Sequence, residues 1–268
     1  MRSVPVSYTV DGAADAPVVV LSNSLGATRS MWDPQVPGLA ERYRVVTYDT
    51  RGHGDSPAPA GPYSLDDLVD DLVALLDEVG AARAHVAGLS LGGMTAMRLA
   101  AREPDRVDRL VLLCTSAKAD PRGFLDRAAA ARSGGTAPLA PTVVSRWLTP
   151  PYAAEHPDLV AWLEAMIAGS DDEGYAACCE VVAGLDLRED LGRITAPTLV
   201  ISGWEDPALP PEHQKLIADG IDGAELLTVS PGAHLANLEQ PLRVTGALLS
   251  HFDAAGLGRR DTAAGGTR

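Results

Sequence analysis

The chain reads as an α/β fold, with a mostly parallel central sheet flanked by helices and a helical lid inserted after a central strand. Three observations predict it. Short apolar strand patterns alternate with helical patterns, as in βαβ units. The strand-like runs stop over residues 117–193, where helical, Pro- and Gly-interrupted segments take over, and resume at Thr198. Between one strand and one helix lies Gly88-Leu89-Ser90-Leu91-Gly92, and in that setting a G-x-S-x-G turn lifts a serine hydroxyl above the sheet edge.

Residues 4–10 alternate and are expected to pair with Val18-Val19-Val20-Leu21 across the turn at Asp11-Gly12. Residues 44–48 form the next strand. Ser64-Leu65-Asp66-Asp67 resembles a capping box that opens a helix running to about Val79. Leu68, Leu72, Leu75, Leu76 and Val79 share one face of that helix. Ala84-His85-Val86-Ala87 leads into the serine turn as a strand, and residues 93–101 follow as a helix containing Met94 and Met97, expected core residues. Residues 107–114 form another buried strand. After the lid come strands at 198–202 and 225–229 and a last helix over 241–252. The chain therefore divides into an α/β core (1–116 and 194–255), a helical cap (117–193) and a tail (256–268). The tail's Gly, Ala and Arg content predicts disorder. A helical insertion at the carboxyl edge of a sheet would cover the active crevice.

Bulk properties exclude several partners. With 46% hydrophobic and 22% charged residues the 268-residue chain has a globular composition. Its net charge of −14 and pI of about 4.7 repel phosphate backbones and anionic lipids, so neither nucleic acid nor a membrane surface is expected as a partner. Cys114, Cys178 and Cys179 are odd in number and two are adjacent, which is no disulfide framework and suits a reducing cytoplasm. No apolar signal core follows Met1-Arg2-Ser3-Val4-Pro5, and no apolar run approaches membrane-spanning length. A cytoplasmic location is expected. No oligomeric state is specified.

A serine hydroxyl is a weak nucleophile and needs an adjacent base. Asp206 follows the strand at 198–202, and His234 follows the strand at 225–229. Ser90, Asp206 and His234 thus stand in the order nucleophile, acid, base, each at a strand's carboxyl end. Asp206 would orient the imidazole and stabilise its charged form. Glu205, one residue earlier, is the competing acid. Each residue alone admits a blander reading: Ser90 as a turn serine, Asp206 before Pro207 as a turn starter, His234 as a surface loop residue. Their joint order favours catalysis. The oxyanion hole would use the backbone N–H of Leu91 and that of Leu25, in the loop Ser22-Asn23-Ser24-Leu25-Gly26. His53, in the Gly-rich loop Asp49 to Ser56, could stabilise its turn or touch substrate. His85 reads as a satisfied strand residue, and His156, His213 and His251 as surface residues. No histidine pair has metal-ligand spacing, and no G-x-G-x-x-G opens a helix after the first strand, so neither a metal nor another cofactor is expected.

The serine turn, the loop from Asp49 to Ser56, Asp206 and His234 together resemble the α/β-hydrolase superfamily over most of the chain. The fold implied is the α/β-hydrolase fold. Three segments are similar to the 3-oxoadipate enol-lactonases: Leu21-Ser22-Asn23-Ser24-Leu25-Gly26, where many relatives carry a His-Gly pair; Ala233-His234-Leu235-Ala236-Asn237-Leu238-Glu239-Gln240-Pro241; and Ser145-Arg146-Trp147-Leu148-Thr149-Pro150. That resemblance implies hydrolysis of 3-oxoadipate enol-lactone to 3-oxoadipate in the β-ketoadipate pathway. The implied partner is a small lactone carrying a carboxylate, which needs a cation in an otherwise acidic protein. Arg132 and Arg146 of the lid could supply it, and Trp147 could wall the pocket; as blander readings the arginines are solvated and the tryptophan is lid core. In some enol-lactonase relatives a decarboxylase domain follows, and this chain stops where one would begin. A broader carboxylesterase, a cofactor-free perhydrolase on the same triad, and a small-molecule sensor on this fold remain open alternatives.

Overall fold

The computed structural model describes residues 3–254. Seven strands form one sheet: β1 (Tyr8–Asp11), β2 (Val18–Ser22), β3 (Arg44–Tyr48), β4 (Ala84–Leu89), β5 (Val107–Leu113), β6 (Thr198–Gly203) and β7 (Glu225–Val229). Their order is β1-β3-β2-β4-β5-β6-β7. All pairs are parallel except β1 with β3. One expectation is corrected here. β1 pairs with β3, Tyr8 opposite Tyr48, and not with β2. The cause is visible in the two patterns. β2 is apolar on both faces and buried, so it takes a central place with β3 and β4 on its two edges. The alternating β1 has three exposed residues and suits an edge. Residues 4–7 lie outside the strand: the Val4 N–H donates to Asp71 Oδ1 at 2.7 Å and the Ser7 N–H to Ser56 Oγ at 2.8 Å.

Helices α1 (Val36–Ala40), α2 (Leu65–Glu78) and α3 (Leu91–Arg102) join the first five strands. The capping box at α2 forms: Asp67 N–H donates to Ser64 Oγ at 3.2 Å, and Ser64 N–H returns to Asp67 Oδ2 at 2.8 Å. Two N–H groups that a helix start leaves unpaired are thereby satisfied. Leu68, Leu72, Leu75, Leu76 and Val79 are all buried, as are Met94 and Met97.

Between β5 and β6 the chain builds five α-helices: α4 (Pro121–Gly134), α5 (Ala140–Val144), α6 (Pro150–Glu155), α7 (Pro157–Ala168) and α8 (Asp172–Gly184). α4 packs on α8, and α5 and α6 on α7. α8 reaches down to the loop after β3, where backbone meets backbone: a Cβ on Gly52 would lie 2.5 Å from Gly174 Cα. α9 (Pro211–Gly220), α10 (Ala236–Glu239) and α11 (Pro241–Asp253) complete the core. α9 escaped the sequence reading because it buries little, chiefly Gln214 and Ile217, so its apolar periodicity is faint. No helix among the described residues is long and apolar enough to cross a membrane. The expected disordered tail, 256–268, lies outside the described residues.

Candidate active site

β4 ends by delivering Ser90 into a backbone conformation that side chains rarely adopt, φ 55° and ψ −116°. Such a conformation costs roughly 1–3 kcal/mol and persists only when its surroundings impose it. Here they do. The Ser90 N–H donates to Leu113 O at 3.0 Å, and its carbonyl accepts from Thr115 Oγ1 at 2.6 Å and from the Met94 N–H at 3.0 Å. The flanking glycines let three chain segments touch. A Cβ on Gly88 would sit 2.2 Å from Gly92 O, and one on Gly92 would sit 2.2 Å from Ser22 O.

Asp206 and His234 come together from the loops after β6 and β7. His234 Nδ1 lies 2.8 Å from Asp206 Oδ2. A carboxylate can only accept, so Nδ1 carries the proton and Nε2 keeps the lone pair a base requires. The other carboxylate oxygen is also engaged, accepting from the N–H groups of Ala208 at 2.8 Å and Leu209 at 3.0 Å. Both side chains are buried. Glu205, the competing acid, points elsewhere, accepting from the Gly232 N–H at 2.8 Å and Ser230 Oγ at 2.9 Å. It braces the loop that carries His234.

Ser90, His234 and Leu25 line one cavity of about 510 Å³. Among the described residues no hydrogen bond joins Ser90 Oγ to His234 Nε2. Such bonds are often long before a substrate is bound and tighten in the reacting complex. Neither the Leu25 nor the Leu91 N–H meets an acceptor among the described residues. Their neighbours do: Ser24 N–H reaches Met31 Sδ at 3.4 Å, Gly26 N–H reaches His53 Nε2 at 2.9 Å, and Gly92 N–H reaches Asn23 O at 2.9 Å.

The segment between β5 and β6 forms much of the remaining wall through Phe124, Arg127, Val143, Arg146 and Trp147. Arg146 and Trp147 thus stand on the cavity wall. Arg132 does not. Its guanidinium is held outside by Glu173, at 2.8 Å from each carboxylate oxygen, and by Glu180. Arg127 takes its place on the wall. It is half-buried, lies over the Phe124 ring at 4.8 Å and approaches Tyr175 Oη at 3.4 Å. Among the described residues neither Arg127 nor Arg146 has a carboxylate partner, although Asp120 and Asp126 also line the cavity as exposed residues.

Three further residues changed roles. His213, expected at the surface, is half-buried on the cavity wall, its Nδ1 2.8 Å from Ser116 Oγ. It was misplaced because α9, which carries it, was missed. His85, expected to be satisfied, stacks on Phe252 at 5.0 Å, and its Nδ1 forms no hydrogen bond, with Asp108 Oδ2 3.5 Å away. Glu239, unremarked in the sequence, is buried. It accepts from the N–H groups of Ala233 at 2.7 Å and Thr149 at 3.1 Å and from Thr149 Oγ1 at 2.7 Å. Together with the bond from the Leu235 N–H to Trp147 O at 2.8 Å, it ties the His234 loop to the segment between α5 and α6. An acid amid the apolar residues of 233–241 was the available signal. No group of three or more His, Cys, Asp or Glu among the described residues could hold a metal ion.

A family model described as the alpha/beta hydrolase fold matches residues 17–241. The chain is 38% identical over 241 residues to 3-oxoadipate enol-lactonase 2 of Acinetobacter baylyi, covering 90% of each chain. A protein of Variovorax paradoxus that bears, as a provisional name, carbamate hydrolase RutD is 34% identical, over 86% of this chain and 90% of that one. The crystal structure of the enol-lactonase from Burkholderia xenovorans LB400 superposes with a TM-score of 0.90 at 40% identity, covering 92% of this chain and 96% of that chain.

Proposed function

Because the chain belongs to the alpha/beta hydrolase fold family, we propose that it hydrolyses 3-oxoadipate enol-lactone to 3-oxoadipate through an acyl-enzyme on Ser90. One observation carries the reading. A single cavity is lined by Ser90, by the Asp206-supported His234, and by two arginines, Arg127 and Arg146, that have no direct carboxylate partner among the described residues.

In this reading Ser90 Oγ attacks the lactone carbonyl while His234 Nε2 removes its proton. Asp206 stabilises the imidazolium across their 2.8 Å contact without taking the proton. The carbonyl oxygen, now negative, receives hydrogen bonds from the Leu25 and Leu91 N–H groups; removing one such donor typically costs about 3 kcal/mol of transition-state stabilisation. The ring C–O bond then breaks, the acyl group stays on Ser90, and the enol oxygen leaves with the proton from His234. An enol oxygen leaves more readily than an alkoxide. Water, deprotonated by His234, attacks the acyl-enzyme, Ser90 regains its proton, and the freed enol tautomerises to the ketone. The helices between β5 and β6 serve as the lid that closes this chemistry from solvent.

The substrate's carboxylate would pair with Arg127, the half-buried guanidinium, with Arg146 nearer solvent. A charge-assisted hydrogen bond of this kind contributes about 1.5–3 kcal/mol. Arg127→Met should therefore raise KM for the enol-lactone by roughly 10- to 100-fold, and Arg146→Met by less. Neither should alter KM for the neutral ester p-nitrophenyl acetate. Steady-state kinetics on both substrates, with a simple carbamate as third, tests substrate and partner together. Turnover of the ester or the carbamate without any of the enol-lactone would reject the assignment. Three free, buried cysteines fit a reducing cytoplasm, where the β-ketoadipate pathway would supply the lactone.

A further inference from the structure

The loop after β3 carries a histidine that the mechanism leaves unused. His53 is buried beside the oxyanion loop, and both ring nitrogens are engaged by backbone. Nδ1 lies 3.1 Å from Arg51 O, and Nε2 lies 2.9 Å from the Gly26 nitrogen. These partners leave no choice of tautomer. A carbonyl oxygen can only accept, so Nδ1 bears the proton; an amide N–H can only donate, so Nε2 bears the lone pair. A protonated ring could not make the second bond. Burial favours the neutral form, pushing His53 below the ordinary histidine range.

We propose that His53 is a positioning residue for the oxyanion hole: by accepting the Gly26 N–H it fixes the peptide beside Leu25 and keeps the Leu25 N–H free to meet the developing oxyanion. Gly26 has φ +82°, so its own N–H must be anchored for the loop to hold its course. The acceptor is set from behind. Arg51 donates to Asp71 of α2 through Nε at 2.6 Å and Nη2 at 2.7 Å, which fixes the segment carrying His53. From above, the Tyr175 ring of α8 lies 6.2 Å from the His53 ring and would lie 3.0 Å from a Cβ on Gly26. The oxyanion loop is thereby held between a lid helix and an imidazole acceptor. This inference rests on the oxyanion roles given above to Leu25 and Leu91.

The test uses p-nitrophenyl acetate, so that it does not depend on the natural substrate. His53→Phe should lower kcat about 100-fold, the scale of losing one oxyanion donor. KM should stay within about threefold, since ground-state contacts are unchanged. His53→Gln, whose Oε1 can accept the Gly26 N–H, should keep kcat within about tenfold of wild type. A His53→Phe enzyme with wild-type kcat, or a His53→Gln enzyme as impaired as His53→Phe, overturns the proposal. If His53→Phe does not fold, the wild-type protein decides through its ¹⁵N imidazole shifts. A protonated Nδ1 and an unprotonated, hydrogen-bonded Nε2 support the role, and a protonated Nε2 refutes it. Ser90→Ala, assayed alongside, separates the two readings: an inactive Ser90→Ala with a fully active His53→Phe sinks the inference alone, whereas an active Ser90→Ala sinks the serine mechanism itself.

Discussion

Asp206→Asn will lower kcat by about 10⁴-fold with the fold intact. The reason lies in the opposite side of the carboxyl group. Oδ1 accepts from the N–H groups of Ala208 and Leu209. In the asparagine those two donors claim the carbonyl oxygen, which turns the NH₂ toward His234 Nδ1. Nδ1 must then accept, the imidazole proton moves to Nε2, and the lone pair that should take the Ser90 proton is gone. Glu205→Gln supplies the contrast. Its contacts are with Gly232 and Ser230, so the loop loosens slightly and kcat falls by no more than about tenfold. Paired kcat measurements, with circular dichroism to confirm folding, check this. A Glu205→Gln enzyme as damaged as Asp206→Asn would reassign the acid.

Gly92→Ala will be among the most destabilising substitutions in the chain. The added methyl would meet Ser22 O at 2.2 Å, with Asn23 O at 2.8 Å. Both are backbone atoms of the strand-to-loop junction after β2, and Gly92 also donates its N–H to Asn23 O. Relief requires α3 to move off β2, at a cost of at least about 3 kcal/mol. That corresponds to a Tm lower by roughly 10 °C, or to no folded protein, because total stability is only about 5–15 kcal/mol. Gly246→Ala provides the opposite sign. Gly246 lies inside α11 with nothing within 4 Å of a Cβ, so alanine's helix propensity should add up to about 1 kcal/mol. Thermal unfolding of the two variants checks both. A Gly92→Ala protein with wild-type Tm would contradict the packing described at the serine turn.

What could be read from the sequence was what local rules decide. A strand, a glycine-flanked serine and a helix are contiguous, so Ser90 was identifiable from residues within about a dozen positions of it. The capping box at Ser64 and the strands preceding Asp206 and His234 are equally local. The partner of β1 was not local. Residues 4–10 alternate correctly for a strand, but whether β2 or β3 receives it depends on which edge remains after β2 takes two parallel neighbours. Arg127 was missed as a cavity residue for a related reason. Arg127 and Arg132 occupy one helix, about 140° apart around its axis, and α4 buries chiefly Ala128 and Ala131, too little to mark its inner face. The turn of the helix decides which of the two lines the cavity. The contacts of His53 to Gly26 and of Glu239 to Thr149 were not legible, because these partners lie 27 and 90 residues away.

A phosphonate ester that phosphonylates activated serines offers the most direct measurement. Intact-mass spectrometry followed by peptide mapping should find one adduct per chain, on Ser90, with ester hydrolysis lost in step. Asp206→Asn should label far more slowly at the same residue. An adduct on any other serine, or full inactivation with Ser90 unmodified, would contradict the assignment of Ser90 as the group that His234 activates.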